Sequence, residues 1–108
     1  YQNHSIYVMT SRNEGFPLVL IEGGSCGLPI VSFNCPNGPN EIVKHGYNGF
    51  LVSPVGNVKL MANYLMQLMS DRTLRKKMGC SSFELSKRFK LENIASEWIS
   101  LYNQLLCP

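Results

Sequence analysis

Short apolar runs alternate with longer stretches in which apolar residues recur every three or four positions. Ile6 to Met9, Ile30 to Phe33 and Phe50 to Val52 read as three short strands. Pro17 to Cys26 contains a helix, with Pro17 suited to the first helical position because it has no N–H to leave unsatisfied. Pro39 to Lys44 predicts a single helical turn, again opened by a proline. Beyond Ser53-Pro54-Val55-Gly56 the period lengthens. Val58, Met61, Leu65 and Leu68 mark one face of an amphipathic helix, in which Met61, Met66 and Met69 are expected to serve packing. Asp71 is placed to cap a further helix running to about Lys87, with a break expected near Gly79. A final helix presents Leu91, Ile94, Trp98, Leu101 and Leu105 on one face, with Trp98 as a core anchor.

Strands alternating with helices imply an α/β fold with a parallel sheet and right-handed crossovers. A sheet of about three strands flanked by helices, with a C-terminal helical segment, is part of a doubly wound domain. Its first strand leaves an edge that a missing neighbour would pair, or that a second copy could use to dimerise.

Composition narrows the picture. The chain of 108 residues suits one domain, and a hydrophobic share of 44% excludes disorder. It starts at Tyr1 rather than Met and is expected to be a segment of a longer protein. No leader pattern precedes the first strand, and no apolar run approaches the ~20 residues of a membrane span. The net charge of +3 gathers in two clusters, Arg72, Arg75, Lys76, Lys77 and Lys87, Arg88, Lys90. Aromatic side chains do not interleave with them, so nucleic acid is not an expected partner and the clusters read as solvated helix faces. Cys26, Cys35, Cys80 and Cys107 form no Cys-x-x-Cys pair, which points to free thiols in a reducing cytosol, with Cys26 and Cys35 buried. His4 and His45 have no partner at metal or catalytic spacing and read as surface residues, and Ser25 lacks the strand-turn-helix elbow of a hydrolase nucleophile.

Three loops follow the carboxyl ends of the strands: Thr10 to Pro17, Asn34 to Pro39 and Ser53 to Gly56. In an open α/β sheet, ligands bind at that edge. The first loop, Ser11-Arg12-Asn13-Glu14-Gly15-Phe16-Pro17, leads into Leu18-Val19-Leu20-Ile21-Glu22. Gly15 lets backbone approach a ligand, and the amides of Leu18 and Val19, with the positive end of the helix dipole, make an anion site that needs neither lysine nor metal. Glu22 lies about 7 Å along the helix from Pro17, a span comparable to that between a diphosphate and its ribose. Its two carboxylate oxygens suit paired hydroxyls. Glu14, before the helix, could face a transferred sugar beyond the phosphates.

The string EGFPLVLIEGGSCGLPIVSF, Glu14 to Phe33, closely resembles the signature of the retaining glycosyltransferases built as two facing Rossmann-like domains, the GT-B architecture. Their pattern sets a glutamate, seven residues and a second glutamate before a Gly-x-Pro strand, and Glu14, Gly15, Phe16, Glu22, Gly27, Pro29, Ile30 and Val31 match it. Gly38 to Val43 and Asn48 to Val52 look like the family's next loop and strand. The C-terminal helices, with Leu74, Arg75, Phe89 and Tyr102, also fit. The resemblance implies a partial Rossmann-like domain spanning 1–108, the C-terminal part of the nucleotide-sugar-binding domain, with the acceptor domain lying upstream. It implies that Glu14 is catalytic, that Gly15, Phe16 and Pro17 approach the sugar, that Leu18 and Val19 hold the diphosphate, and that Glu22 binds the ribose. It further implies retention of configuration, a UDP- or GDP-linked donor and a glycan or lipid-linked acceptor.

No cofactor or metal is expected. The only aspartate is Asp71, so an Asp-x-Asp manganese site is absent from this segment. The expected setting is polysaccharide, lipopolysaccharide or capsule synthesis in the cytoplasm, with peripheral association of the parent at the inner membrane face. The segment alone is expected to be inactive. Gly23 and Gly24 depart from the family's larger residues, and each lowers helix stability by roughly 0.5–1 kcal/mol relative to Ala. A non-catalytic interaction module and a nucleotide-sugar epimerase of related fold remain the alternatives.

Overall fold

A computed structural model describes residues 4–13, 17–36 and 38–106. The elements in chain order are β1 (Tyr7–Met9), α1 (Leu18–Ser25), β2 (Ile30–Phe33), α2 (Pro39–Ile42), β3 (Gly49–Val52), α3 (Val58–Ser70), α4 (Arg72–Ser86), a 3₁₀ turn (Lys87–Phe89) and α5 (Leu91–Leu106). The strands form one parallel sheet in the order β1-β2-β3, with Tyr7 opposite Ile30 and Ile30 opposite Gly49. All four residues of β2 are buried, as a central parallel strand covered on both faces requires. β1 lies at an edge, as expected, and its Val8 is partly open to solvent.

Alternation along β2 builds the two layers. Val31 and Phe33, with Phe50 and Val52 of β3, pack against Met61 and Leu68 of α3 and Met78 of α4. Ile30 faces the other way and joins Met9 of β1 and Leu20 of α1, with Cys35, Ile42 and Val43, while Phe89 of the 3₁₀ turn flanks this cluster. Helix starts follow cap chemistry. Asn57 accepts from the Leu60 N–H at 3.2 Å and Asp71 from the Leu74 N–H at 2.9 Å.

α4 lies across the amino-terminal ends of the strands and runs unbroken through Gly79, where a break was expected. The glycine serves close approach instead. A Cβ on Gly79 would come within 2.2 Å of the Gly27 carbonyl oxygen, ahead of β2. Ser82, one turn on, donates its hydroxyl to the Asn48 carbonyl at 2.9 Å, ahead of β3. Asn48 is itself buried, accepting from the Lys44 N–H at 2.7 Å and donating to the Ile42 carbonyl at 3.0 Å. The same contact explains the two glycines of α1. A Cβ on Gly24 would stand 3.2 Å from the Ser82 carbonyl oxygen, and one on Gly23 would stand 3.0 Å from the Tyr7 ring. Their low helix propensity is the cost of seating α1 tightly on β1 and α4.

Other expectations are corrected. Pro17 is the N-cap of α1 rather than its first helical residue, and its carbonyl takes the Leu20 N–H at 3.0 Å. Met61 is buried, but Val58, Met66 and Met69 are exposed, because the apolar face of α3 is narrower than its methionine content suggests. Cys35 is buried while Cys26, in the turn after α1, is exposed. Trp98 is not a core anchor. It is 57% exposed, and Ile94, Leu101 and Leu105 are exposed beside it. Periodicity marks an apolar face on α5 but says nothing of what covers it.

Gly79→Ala should destabilise the protein by at least ~3 kcal/mol, since backbone cannot yield as a side chain does. Gly46→Ala, where a Cβ meets nothing within 4 Å but φ is +82°, should cost about 1 kcal/mol. Urea denaturation of the two variants compares them directly.

Candidate functional site

Because every strand runs the same way, the loops after β1, β2 and β3 all open at one edge of the sheet. The amino end of α1 stands there. Pro17 is buried at the cap, while Leu18 is 64% and Val19 is 37% exposed. The Leu18 and Val19 N–H groups find no acceptor among the described residues, since the first helical turn has none within the helix and only Leu20 pairs back to Pro17. The positive end of the helix dipole thus points out at the carboxyl edge.

Glu22 is exposed on α1, and its backbone carbonyl accepts the Ser25 hydroxyl at 2.7 Å. Four residues separate it from Leu18, so the two share one face of the helix about 6 Å apart along its axis. Glu14, Gly15 and Phe16 lie outside the described residues. The structure therefore brings together Pro17, Leu18, Val19 and Glu22 of the expected set.

Arg12 is a feature that motif reading missed. It lies in the loop after β1, and its guanidinium sits where a side chain on Gly56 would be, 3.1–3.5 Å from that Cβ position. Gly56, in the loop after β3, has φ +93°. A cation from one loop of the ligand edge therefore lies against a second. The glycine in a turn between β3 and α3 was the one available signal.

The histidines stay off this edge. His4 precedes β1, and His45 precedes β3, where its Nδ1 accepts the Leu51 N–H at 3.0 Å and its ring meets Phe50 and Tyr64 edge-on. Among the described residues, no group of three or more His, Cys, Asp or Glu side chains is placed to hold a metal ion. No helix among them is long and apolar enough to cross a membrane.

Residues 1–84 match the protein family described as Glycosyl transferases group 1. The chain is 40% identical over 98 residues to an uncharacterized glycosyltransferase of Haemophilus influenzae, covering 91% of this chain and 28% of that protein. It is 35% identical to the amylovoran biosynthesis glycosyltransferase AmsD of Erwinia amylovora, over 95% of this chain and 28% of AmsD. Among solved structures, HepE of Anabaena in complex with UDP superposes with a TM-score of 0.86 at 27% identity, over 95% of this chain and 28% of that one. The chain thus spans less than a third of the length of each.

Gly56→Ala should destabilise by about 1 kcal/mol through backbone strain at φ +93°, because the exposed end of Arg12 can move aside. A double-mutant cycle with Arg12→Ala by thermal unfolding should therefore show a coupling below about 0.5 kcal/mol.

Proposed function

The chain belongs to the glycosyl transferases group 1 family, and we propose that it supplies the donor half of the active site of a sugar transferase. The observation that carries this reading is the amino end of α1, open at the carboxyl edge with Glu22 one turn along the same face. A nucleoside diphosphate sugar matches that layout. The Leu18 and Val19 amides hold the diphosphate, and their positive field stabilises the negative charge that gathers on it as the glycosidic bond breaks. Charge neutralisation by amides and dipole needs no metal at this position.

Glu22 takes the paired hydroxyls of the ribose through its two carboxylate oxygens. Glu14 contacts the transferred sugar and supports the positive charge developing there, with the backbone of Gly15, Phe16 and Pro17 against the sugar hydroxyls. The sugar is passed on with retention of configuration. The capture of UDP by HepE favours uridine as the base, with guanosine the other candidate. The amylovoran assignment of AmsD favours a growing polysaccharide or lipid-linked glycan as acceptor, as in lipopolysaccharide or capsule synthesis. That acceptor binds through a part of the parent outside this chain, at the cytoplasmic membrane face.

Two variants of the full-length parent separate the roles. Glu22→Ala should raise the donor KM by ~10–100-fold, the loss expected for charged hydrogen bonds. Leu18→Pro deletes one amide at a position where proline is accepted, and should weaken UDP binding by ~10-fold with the far-UV dichroism unchanged. An unaltered donor KM and kcat in Glu22→Ala would remove that residue from the site.

A further inference from the structure

The opposite, amino-terminal edge of the sheet carries a concave site. A cavity of about 290 Å³ opens between the segment entering β1, the turn from α1 to β2 and the start of α4, with His4, Cys26, Gly27, Arg72, Arg75 and Lys76 in its wall. Three cations converge on it. Arg72 and Arg75 stand in the first turn of α4, where the helix dipole opposes positive charge, and that turn contains no acid to offset them. The cap, Asp71, commits one carboxylate oxygen to the Leu74 N–H. Among the described residues the one ion pair is Lys87 with Glu84, away from this cavity. Asp71 and the carbonyl end of α3 offset part of this charge, but no acid lines the cavity, so its wall keeps an excess of positive charge that an anion can neutralise.

Arg75 gives the site a fixed element. Its Nη1 donates to the carbonyls of Leu68 at 2.7 Å and Met69 at 3.0 Å, closing the end of α3. That clamp holds the guanidinium plane in place and leaves the Nε and Nη2 donors of the fork, a geometry suited to a tetrahedral oxyanion. An adjoining groove of about 420 Å³ shares Gly27 and Lys76 and continues along α4 past Gly79, Cys80 and Phe83. The cationic pocket therefore opens onto an apolar one.

We propose that this amino-edge pocket binds a phosphate group through Arg72, Arg75 and Lys76, carried by either an anionic lipid or a soluble phosphorylated molecule. It is separate from the donor site, because the two lie at opposite ends of the parallel strands.

The test uses the full-length parent and its Arg72→Ser/Lys76→Ser variant. Both substituted side chains are exposed, and Arg75 keeps its clamp on α3. Inorganic phosphate is titrated while the amide resonances of Gly27, Leu28, Arg72 and Lys76 are followed. Vesicles of phosphatidylcholine, with and without phosphatidylglycerol, are floated in parallel. Saturable shifts at those amides with millimolar phosphate, weakened at least ~10-fold in the variant, support the site. Flotation that requires phosphatidylglycerol and fails in the variant identifies the lipid as source, and shifts without flotation identify a soluble phosphate. No saturable shift and no lipid-dependent flotation, or responses identical in parent and variant, would overturn the proposal. The donor reading would be untouched, since its readouts are the UDP affinity and donor KM.

Discussion

The geometry of the ligand edge depends on a backbone contact at the other end of the domain. Gly79 of α4 meets the Gly27 carbonyl so closely that no side chain fits between them. The contact repeats at Gly24 against Ser82 and is matched on the sheet side by Gly23 against Tyr7. α1 has only eight residues, a rod of roughly 12 Å. Holding its carboxyl end on α4 and β1 therefore fixes where its amino end, with the Leu18 and Val19 amides, emerges. Glycines that weaken the helix locally are what place it globally.

α4 is also the element that joins the two faces of the sheet. Met78 enters the layer beneath β2 and β3, while Gly79 and Ser82 reach the turns before β2 and β3. The buried Asn48 side chain pairs the Lys44 N–H and the Ile42 carbonyl ahead of β3, and Ser82 adds a second bond to the Asn48 carbonyl, which also takes the Ile30 N–H at 3.1 Å. The helix bundles its cations at its start, on the amino edge, whereas the anion-binding potential of the carboxyl edge comes from main-chain amides. One sheet thus presents positive potential at both ends by different physical means.

The strands, their parallel arrangement, the edge position of β1 and the cap at Asp71 follow from local pattern, because burial on both faces and cap geometry are decided within a few residues. Glycine is where local reading fails. Gly79 reads as a helix break, and Gly23 and Gly24 as a weakness, until the partner surfaces 16 to 58 residues away are known. Trp98 illustrates the converse, since periodicity gives α5 an apolar face and cannot supply the surface it needs. Of the candidate site, the placement of the α1 amides and Glu22 on one exposed helix face was legible from spacing. Arg12 was not, because its role depends on a glycine in a loop 44 residues later.

An eight-residue helix clamped at one end and open at the other has a gradient of local opening free energy along its length. Turns near Gly23 and Gly24 are held by neighbouring chain, whereas the first turn relies on a cap without a side-chain hydrogen bond. Its amides should exchange with solvent deuterium much faster than those near the clamp. A ligand seated on that first turn would order the segment with the least intrinsic protection, and part of its binding free energy would be drawn off as lost backbone entropy.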